Sequence, residues 1–539
     1  MGNVSKNNLK NATIIIKKLI SDMTLEEKIG QMFQVGFPDT KVTSDIKKMI
    51  ENYHVGGIIY FKRNIESLQQ VSNLSNELQK ISVNKGSGLP LLISTDQEGG
   101  IVNRLTGGTH FPGNMVLGAA GKNNLAEKAG KTIATQLKAV GINMDFAPVL
   151  DVNNNPLNLV IGARSFGEDP HLVADLGMAF IKGMQAEGII ACAKHFPGHG
   201  DTAVDSHLDI PVIEYGKERL EKIEIYPFKQ AIEAGVDSIM TAHIYLPALE
   251  FRKGLPATLS YKILTNLLRE ELRFTGIAIT DCMEMKAIAD SFGTVEGSVM
   301  AVEAGIDIVL VSHTLDKQKA AIEAVTEAVK QGRITEERIN QSVSRILELK
   351  EKRIGLKNLP ISDYKKINKK IEEEVAYEIS REGVTLVKDE DNLIPVNRAC
   401  DKKILVLDFP LKGLSMAGDE VENNNLLVNF LRKEGLKVEH RTLLESSSEI
   451  SLLKGVNLII VCTFNAVYNV HQIKIIKKLQ AANMPFIVLS SNPYDLRVFP
   501  EIPTFLTFYD YSPFNLQVAG EIIAGKYKAK GILPVTLKI

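Results

Sequence analysis

The chain has 539 residues, 45% of them hydrophobic and 24% charged, with a formal net charge of −1. That length exceeds what one hydrophobic core serves, so two or more domains are expected. Lysine and arginine are scattered among aspartate and glutamate, so no field of one sign draws the protein to nucleic acid or an anionic membrane. Cys192, Cys282, Cys400 and Cys462 lie far apart and form no CxxC pair. They therefore suggest reduced core thiols, not a zinc site or a disulfide framework. Near the start, only Ala12 to Ile16 is apolar before two lysines, shorter than a secretory or membrane segment. Lys6 stands where a myristoylation signal needs Ser or Thr. A cytoplasmic protein, monomeric or simply homo-oligomeric, is the expectation.

From about residue 13 to 350 short apolar runs alternate with glycine-rich loops and amphipathic helices. The runs include 56–61, 91–94, 189–193, 236–240, 276–280 and 307–311. They are aliphatic on both faces, as strands buried in a parallel sheet should be. Helical patterns between them cover 124–140, 172–187, 218–234, 262–273 and 316–331. This rhythm favours a (β/α)8 TIM-type barrel, with a doubly wound sheet as the second choice. Residues 358–370 break it with a proline, several lysines and little apolar content, which sets domains at 1–360 and 361–539. In the second, 404–408, 458–463, 486–490 and 504–509 read as buried strands alternating with helices at 424–434 and 472–482. A smaller three-layer α/β/α sandwich closing on a strand-like 532–538 is expected.

Residues of catalytic type follow the ends of the apolar runs in the first domain. Leu91 to Thr95 leads to Asp96, Gln97, Glu98, Gly99 and Gly100, with Arg104 close behind. Ile189 to Ala193 leads to Lys194 and His195, Val236 to Thr241 to His243, and Ile277 to Thr280 to Asp281. In an α/β barrel such endings converge on one mouth. The densest stretch, Lys194 to His207, holds three histidines, two aspartates and a lysine among glycines and a proline. One chemistry open to it is metal binding, although the first strands carry no His-x-His pair and a lysine heads the loop. The other is proton transfer with recognition of hydroxyl groups. An extended backbone over Asp205-Ser206-His207 puts the carboxylate and imidazole on one face. A carboxylate there orients the ring and raises its pKa, which suits a general acid. Asp281 could cap a following helix, or serve as a rigidly placed carboxylate nucleophile.

Taken together, these segments resemble glycoside hydrolase family 3, and within it the bacterial β-N-acetylglucosaminidase branch. The matching pieces are Gly30-Gln31-Met32, Asp96 to Gly100, Arg164 to Pro170, the Lys194 to His207 loop, and Thr280 to Met285. In the second domain, Arg381 to Lys388 and Gly531 to Thr536 match as well. The resemblance implies that Asp281 is the nucleophile of a retaining mechanism and that Asp205 and His207 form the acid/base dyad. It also implies that Asp96, Arg104, Arg164, Lys194 and His195 hold sugar hydroxyls, and that the second domain is a scaffold. Neither a metal nor a cofactor is implied, and the partner is a small carbohydrate carrying terminal N-acetylglucosamine. A peptidoglycan fragment or a chitooligosaccharide would serve. Phosphorolysis of the same substrates stays open, since neutral imidazole does not repel an anionic acceptor as a carboxylate would. So do a β-glucosidase or β-xylosidase and, in a different class, a metal-dependent amidohydrolase. The chain contains no tryptophan, which favours a compact pocket over extended binding along a polysaccharide.

Overall fold

The computed structural model describes residues 13–158, 160–202, 210–357, 359–396, 403–411, 418, 425–444 and 455–537. Eight short parallel strands form the first sheet: β1 (Phe33–Val35), β2 (Gly57–Ile59), β3 (Leu92–Thr95), β6 (Met144–Asp145), β7 (Ile190–Phe196), β8 (Ser238–Thr241), β9 (Ile277–Thr280) and β10 (Val309–Val311). Their spatial order is β10-β1-β2-β3-β6-β7-β8-β9. A parallel bridge between Ile279 and Ile308 joins the two ends, so the sheet closes as the expected barrel. A small hairpin, β4 (Gln97–Gly99) and β5 (Val102–Asn103), stands on the end of β3.

Each strand is followed by a helix that covers it, as a parallel sheet requires. These helices are Ser44–Glu51, Leu68–Lys85, Asn123–Ala139, Pro170–Ala186, Tyr226–Glu233, Lys262–Glu271, Thr294–Ala304 and Leu315–Lys330. Local chemistry sets their starts. Asp169 accepts the His171 amide at 2.9 Å while Pro170 opens its helix without an amide to lose. The helix expected over 218–234 is two, Lys217–Lys222 and Tyr226–Glu233, because Pro227 fits a first turn and not an interior. No helix among the described residues is long and apolar enough to cross a membrane.

The second sheet has six strands in the order β11-β16-β15-β14-β12-β13. They are β11 (Thr385–Asp389), β12 (Lys403–Asp408), β13 (Lys437–Thr442), β14 (Leu458–Thr463), β15 (Phe486–Ser490) and β16 (Thr504–Thr507). All pairs are parallel except β11 with β16. Alternate residues of β12 and β14 enter two separate cores. Ile404, Val406 and Ile460 meet helices Leu426–Lys433 and Pro513–Ile523, while Leu405, Leu407 and Ile459 meet helix Val470–Ala481. These are the three layers read from the sequence. The expected closing strand at 532–538 is absent from the described 531–537. Instead the Ile532 amide donates to Ala119 and Pro534 accepts the Glu168 amide, so this tail is spent on the barrel. Asp510 makes another such bond, its Oδ2 accepting the Gly113 amide at 2.8 Å.

Candidate active site

The carboxyl ends of the barrel strands surround a cavity of about 340 Å³. Its wall includes Asp96, Glu98, Arg104, Arg164, Lys194, His195 and Asp281. All five residues expected to hold hydroxyls are therefore brought together with the expected nucleophile. Asp205 and His207 lie outside the described residues.

Three local devices bring them there. Past β3 the chain doubles back through the hairpin, and the Gln97 side chain accepts the amides of Arg104 at 2.9 Å and Leu105 at 3.1 Å. This turn aims Glu98 and Arg104 at the cavity. β7 runs on into the mouth, so Lys194 and His195 are strand residues. Beyond it, Asn158 donates to the carbonyls of His199 at 2.8 Å and Gly200 at 3.0 Å. Gly200 passes so close to the Val152 carbonyl that a Cβ would stand 1.8 Å from it, which only glycine avoids.

Charge at the mouth is held in two connected groups. Lys194 Nζ lies 2.7 Å from Asp96 Oδ1 and 2.6 Å from Glu98 Oε1. Arg164 meets both oxygens of Glu98, at 2.7 and 2.8 Å, in the bidentate geometry its guanidinium favours. Burial pushes the Glu98 carboxyl up, but Arg164 and Lys194 outweigh it and hold the group far below the usual carboxylate range. Burial works against the Lys194 ammonium as well, yet Asp96 and Glu98 keep it above its ordinary value. In the second group, Asp151 Oδ2 lies 2.7 Å from His195 Nδ1, and Oδ1 accepts the His199 amide at 2.7 Å. Burial opposes ionisation of Asp151, and the His195 charge and hydrogen bond overcome it. Burial pushes His199 down to about 4, so that ring is neutral near pH 7. It also pushes Asp145, at the end of β6, well above the usual range.

Asp281 follows β9 and is partly exposed to the cavity. Its Oδ1 accepts the amide of the next residue, Cys282, at 2.6 Å. The following helix, Lys286–Ala289, starts after Met285. Asp281 is thus not its cap, which removes the structural alternative weighed from the sequence. Among the described residues no group of three His, Cys, Asp or Glu is arranged to hold a metal ion.

Glu98 and Asp151 are structurally central, and neither stood among the expected site residues. Both left a signal. In an extended run Asp96 and Glu98 fall on one face, and Asp151 ends the apolar run from Phe146 as Asp281 ends its own.

The barrel matches what comparison with known proteins finds. Residues 24–349 match the model for the glycosyl hydrolase family 3 N terminal domain. The chain belongs to that family. It is a glycoside hydrolase. Beta-hexosaminidase A of Pseudoalteromonas piscicida is 34% identical over 408 residues, 70% of this chain and 68% of that protein. The beta-N-acetylglucosaminidase/beta-glucosidase of Cellulomonas fimi is 28% identical over 96% of this chain and 95% of its own length. Among solved structures, a family 3 beta-N-acetylglucosaminidase from Paenibacillus sp. str. FPU-7 superposes with a TM-score of 0.88 at 40% identity. That superposition covers 96% of this chain and 99% of the other.

Proposed function

We propose that this protein is a retaining exo-β-N-acetylglucosaminidase that removes terminal N-acetylglucosamine from short oligosaccharides. The observation that carries the reading is the meeting of Asp281 with Asp96, Lys194, Arg164, His195 and Arg104 around one cavity of about 340 Å³. That volume is at the small end for a ligand site and suits a single terminal sugar. Bacterial relatives named beta-hexosaminidase support the choice of sugar.

In the mechanism Asp281 attacks the anomeric carbon while His207, oriented by Asp205, gives a proton to the leaving oxygen. A glycosyl-aspartate forms, and neutral His207 then takes a proton from the water that releases the sugar. The fixed charges of Asp96, Lys194 and Arg164 hold the sugar's hydroxyls without reorganising, so binding energy goes to orientation. The second unit, placed from about residue 361, acts as scaffold through contacts such as Asp510 with Gly113. Peptidoglycan fragments and chitooligosaccharides both present the required end.

The test is release of p-nitrophenol from the β-N-acetylglucosaminide and the β-glucoside, each with and without added phosphate or EDTA. The expected result is cleavage of the N-acetyl sugar, lowered about 1,000-fold or more in Asp281→Asn and indifferent to EDTA. Equal rates for folded Asp281→Asn and wild type would overturn the nucleophile. A phosphate-dependent sugar phosphate product would change the acceptor and leave the residues in place.

A further inference from the structure

His243 follows β8, where the sequence places a strand-end histidine that the proposed mechanism does not use. It is 1% exposed and is not among the residues that line the cavity, which include its neighbours Met240, Asp281 and Cys282. It therefore touches the site only through the protein. Its Nε2 lies 3.0 Å from the Cys282 carbonyl and its Nδ1 2.9 Å from Thr258 Oγ1. A carbonyl oxygen only accepts, so Nε2 carries a proton and donates it in every charge state of the ring.

That bond fixes the residue next to the nucleophile. The Cys282 amide donates to Asp281 Oδ1 at 2.6 Å, and its carbonyl is the group His243 holds. Its thiol accepts from Ser312 Oγ at 2.8 Å. One residue is thus held at amide, carbonyl and side chain, and its amide is a group that orients Asp281 Oδ1. The ring in turn is fixed by Thr258, whose hydroxyl also lies 2.9 Å from the Ala242 carbonyl and 3.0 Å from Thr241 Oγ1. Those partners lie on β8 or just past it, so the network stitches the end of β8 to the end of β9.

We propose that His243 is a positioning residue which aims the Asp281 carboxylate by holding the Cys282 carbonyl. The proposal rests on Asp281 as nucleophile. Glutamine carries an N–H as many bonds from Cα as His Nε2 is, whereas asparagine is one bond short and leucine has no donor. His243→Leu and His243→Asn are expected to lose about 10–100-fold in kcat with KM little changed, the range for residues that act through another group. His243→Gln is expected to keep kcat within about threefold of wild type, with the same pH profile.

The measurements are kcat, KM and their pH dependence on the p-nitrophenyl substrate, with thermal unfolding to select folded variants. Should His243→Leu fail to fold, the contrast between Gln and Asn carries the test. A folded His243→Gln as impaired as His243→Asn, or wild-type kcat in Leu or Asn, would overturn the proposal. Asp281→Asn in the same assay keeps the two readings apart. If it is inactive while the His243 variants are unimpaired, positioning fails and the nucleophile stands. If it is active, the nucleophile itself falls.

Discussion

The two ends of the barrel both bury charge, and they use it differently. At the mouth, Lys194, Arg164, Asp96 and Glu98 are paired among themselves around open volume, and each still lines the cavity. At the opposite end, Asp307 lies before β10 and Asp237 before β8. Asp307 is fully buried against Arg269 at 2.5 Å, Arg345 at 3.0 Å and Ser342 Oγ at 2.6 Å. Asp237 pairs with Lys352 at 2.9 Å and Arg353 at 2.7 Å. Those groups fasten the C-terminal part of the barrel, helix Glu336–Arg353, to strand starts. Buried ion pairs are weak evidence of stability by themselves because desolvation offsets attraction. What separates the two ends is whether the pair faces a space that a polar ligand can enter.

The comparison is tested hardest at Glu98. Glu98→Gln removes the one carboxylate shared by Lys194 and Arg164, leaving two buried cations to Asp96 alone among the partners just described. Breaking such a buried network costs about 3–5 kcal/mol, and Lys194 loses one of the two anchors that aim it. Urea unfolding and steady-state kinetics should show both effects, with kcat/KM down by about 100-fold or more in the folded variant. A folded Glu98→Gln with wild-type kcat/KM would mean the mouth network is structural, like the far end.

Asp307→Asn is the counterpart. Burial alone would raise the Asp307 carboxyl, and Arg269, Arg345 and Arg338 instead hold it below the usual range. Removing its charge strands those guanidiniums and should cost about 3 kcal/mol of stability in urea unfolding. Asp307 is not among the residues that line the cavity, so kcat/KM at a temperature where the variant is folded should stay within about twofold of wild type. A parallel loss of kcat/KM in folded protein would erase the distinction between the ends.

How much of this was legible in the sequence depends on element length and on what each residue faces. β14 and β15 match the apolar runs read at 458–463 and 486–490 because both faces of those strands are buried. β1 and β6 went unread: Gln34 interrupts the apolar run of the first, and the second has two residues, too short for any period to register. β13 was hidden differently. It is an edge strand whose Lys437, Glu439 and Arg441 face solvent, so its composition reads as a loop. Of the residues that line the cavity, Asp96, Arg104, Lys194, His195 and Asp281 are picked out by strand-end position and family resemblance together, and Arg164 by the resemblance alone. Glu98, named only as part of its strand-end segment, and Asp151 carry no role in the sequence reading because their partners, Arg164 and Lys194 for one and His195 for the other, are distant in sequence. Only the closed barrel brings them into reach.

A pH-dependent effect is expected at Lys350, buried at the far end on helix Glu336–Arg353. Its ammonium donates to Gln31 Oε1 at 2.8 Å and the Gly56 carbonyl at 3.0 Å, and no ion pair joins it among the described residues. Burial alone pushes it down to about 7, from about 10.4 in an unfolded chain. Between those two values the unfolded state holds one more proton than the folded state. Stability must therefore rise with pH across that window, by up to about 1.4 kcal/mol per unit, and lose the contribution as pH falls toward 7. Lys350→Met removes this slope while leaving the Gln31 and Gly56 oxygens without that donor. Urea unfolding from pH 6 to 10 should find wild type gaining on the variant as pH rises above about 7, with kcat/KM at pH 7 unchanged within about twofold. Parallel stability profiles would show that the ammonium is solvated in the fold. The far end would then hold no uncompensated charge, and its contrast with the mouth would rest on the paired Asp307 and Asp237.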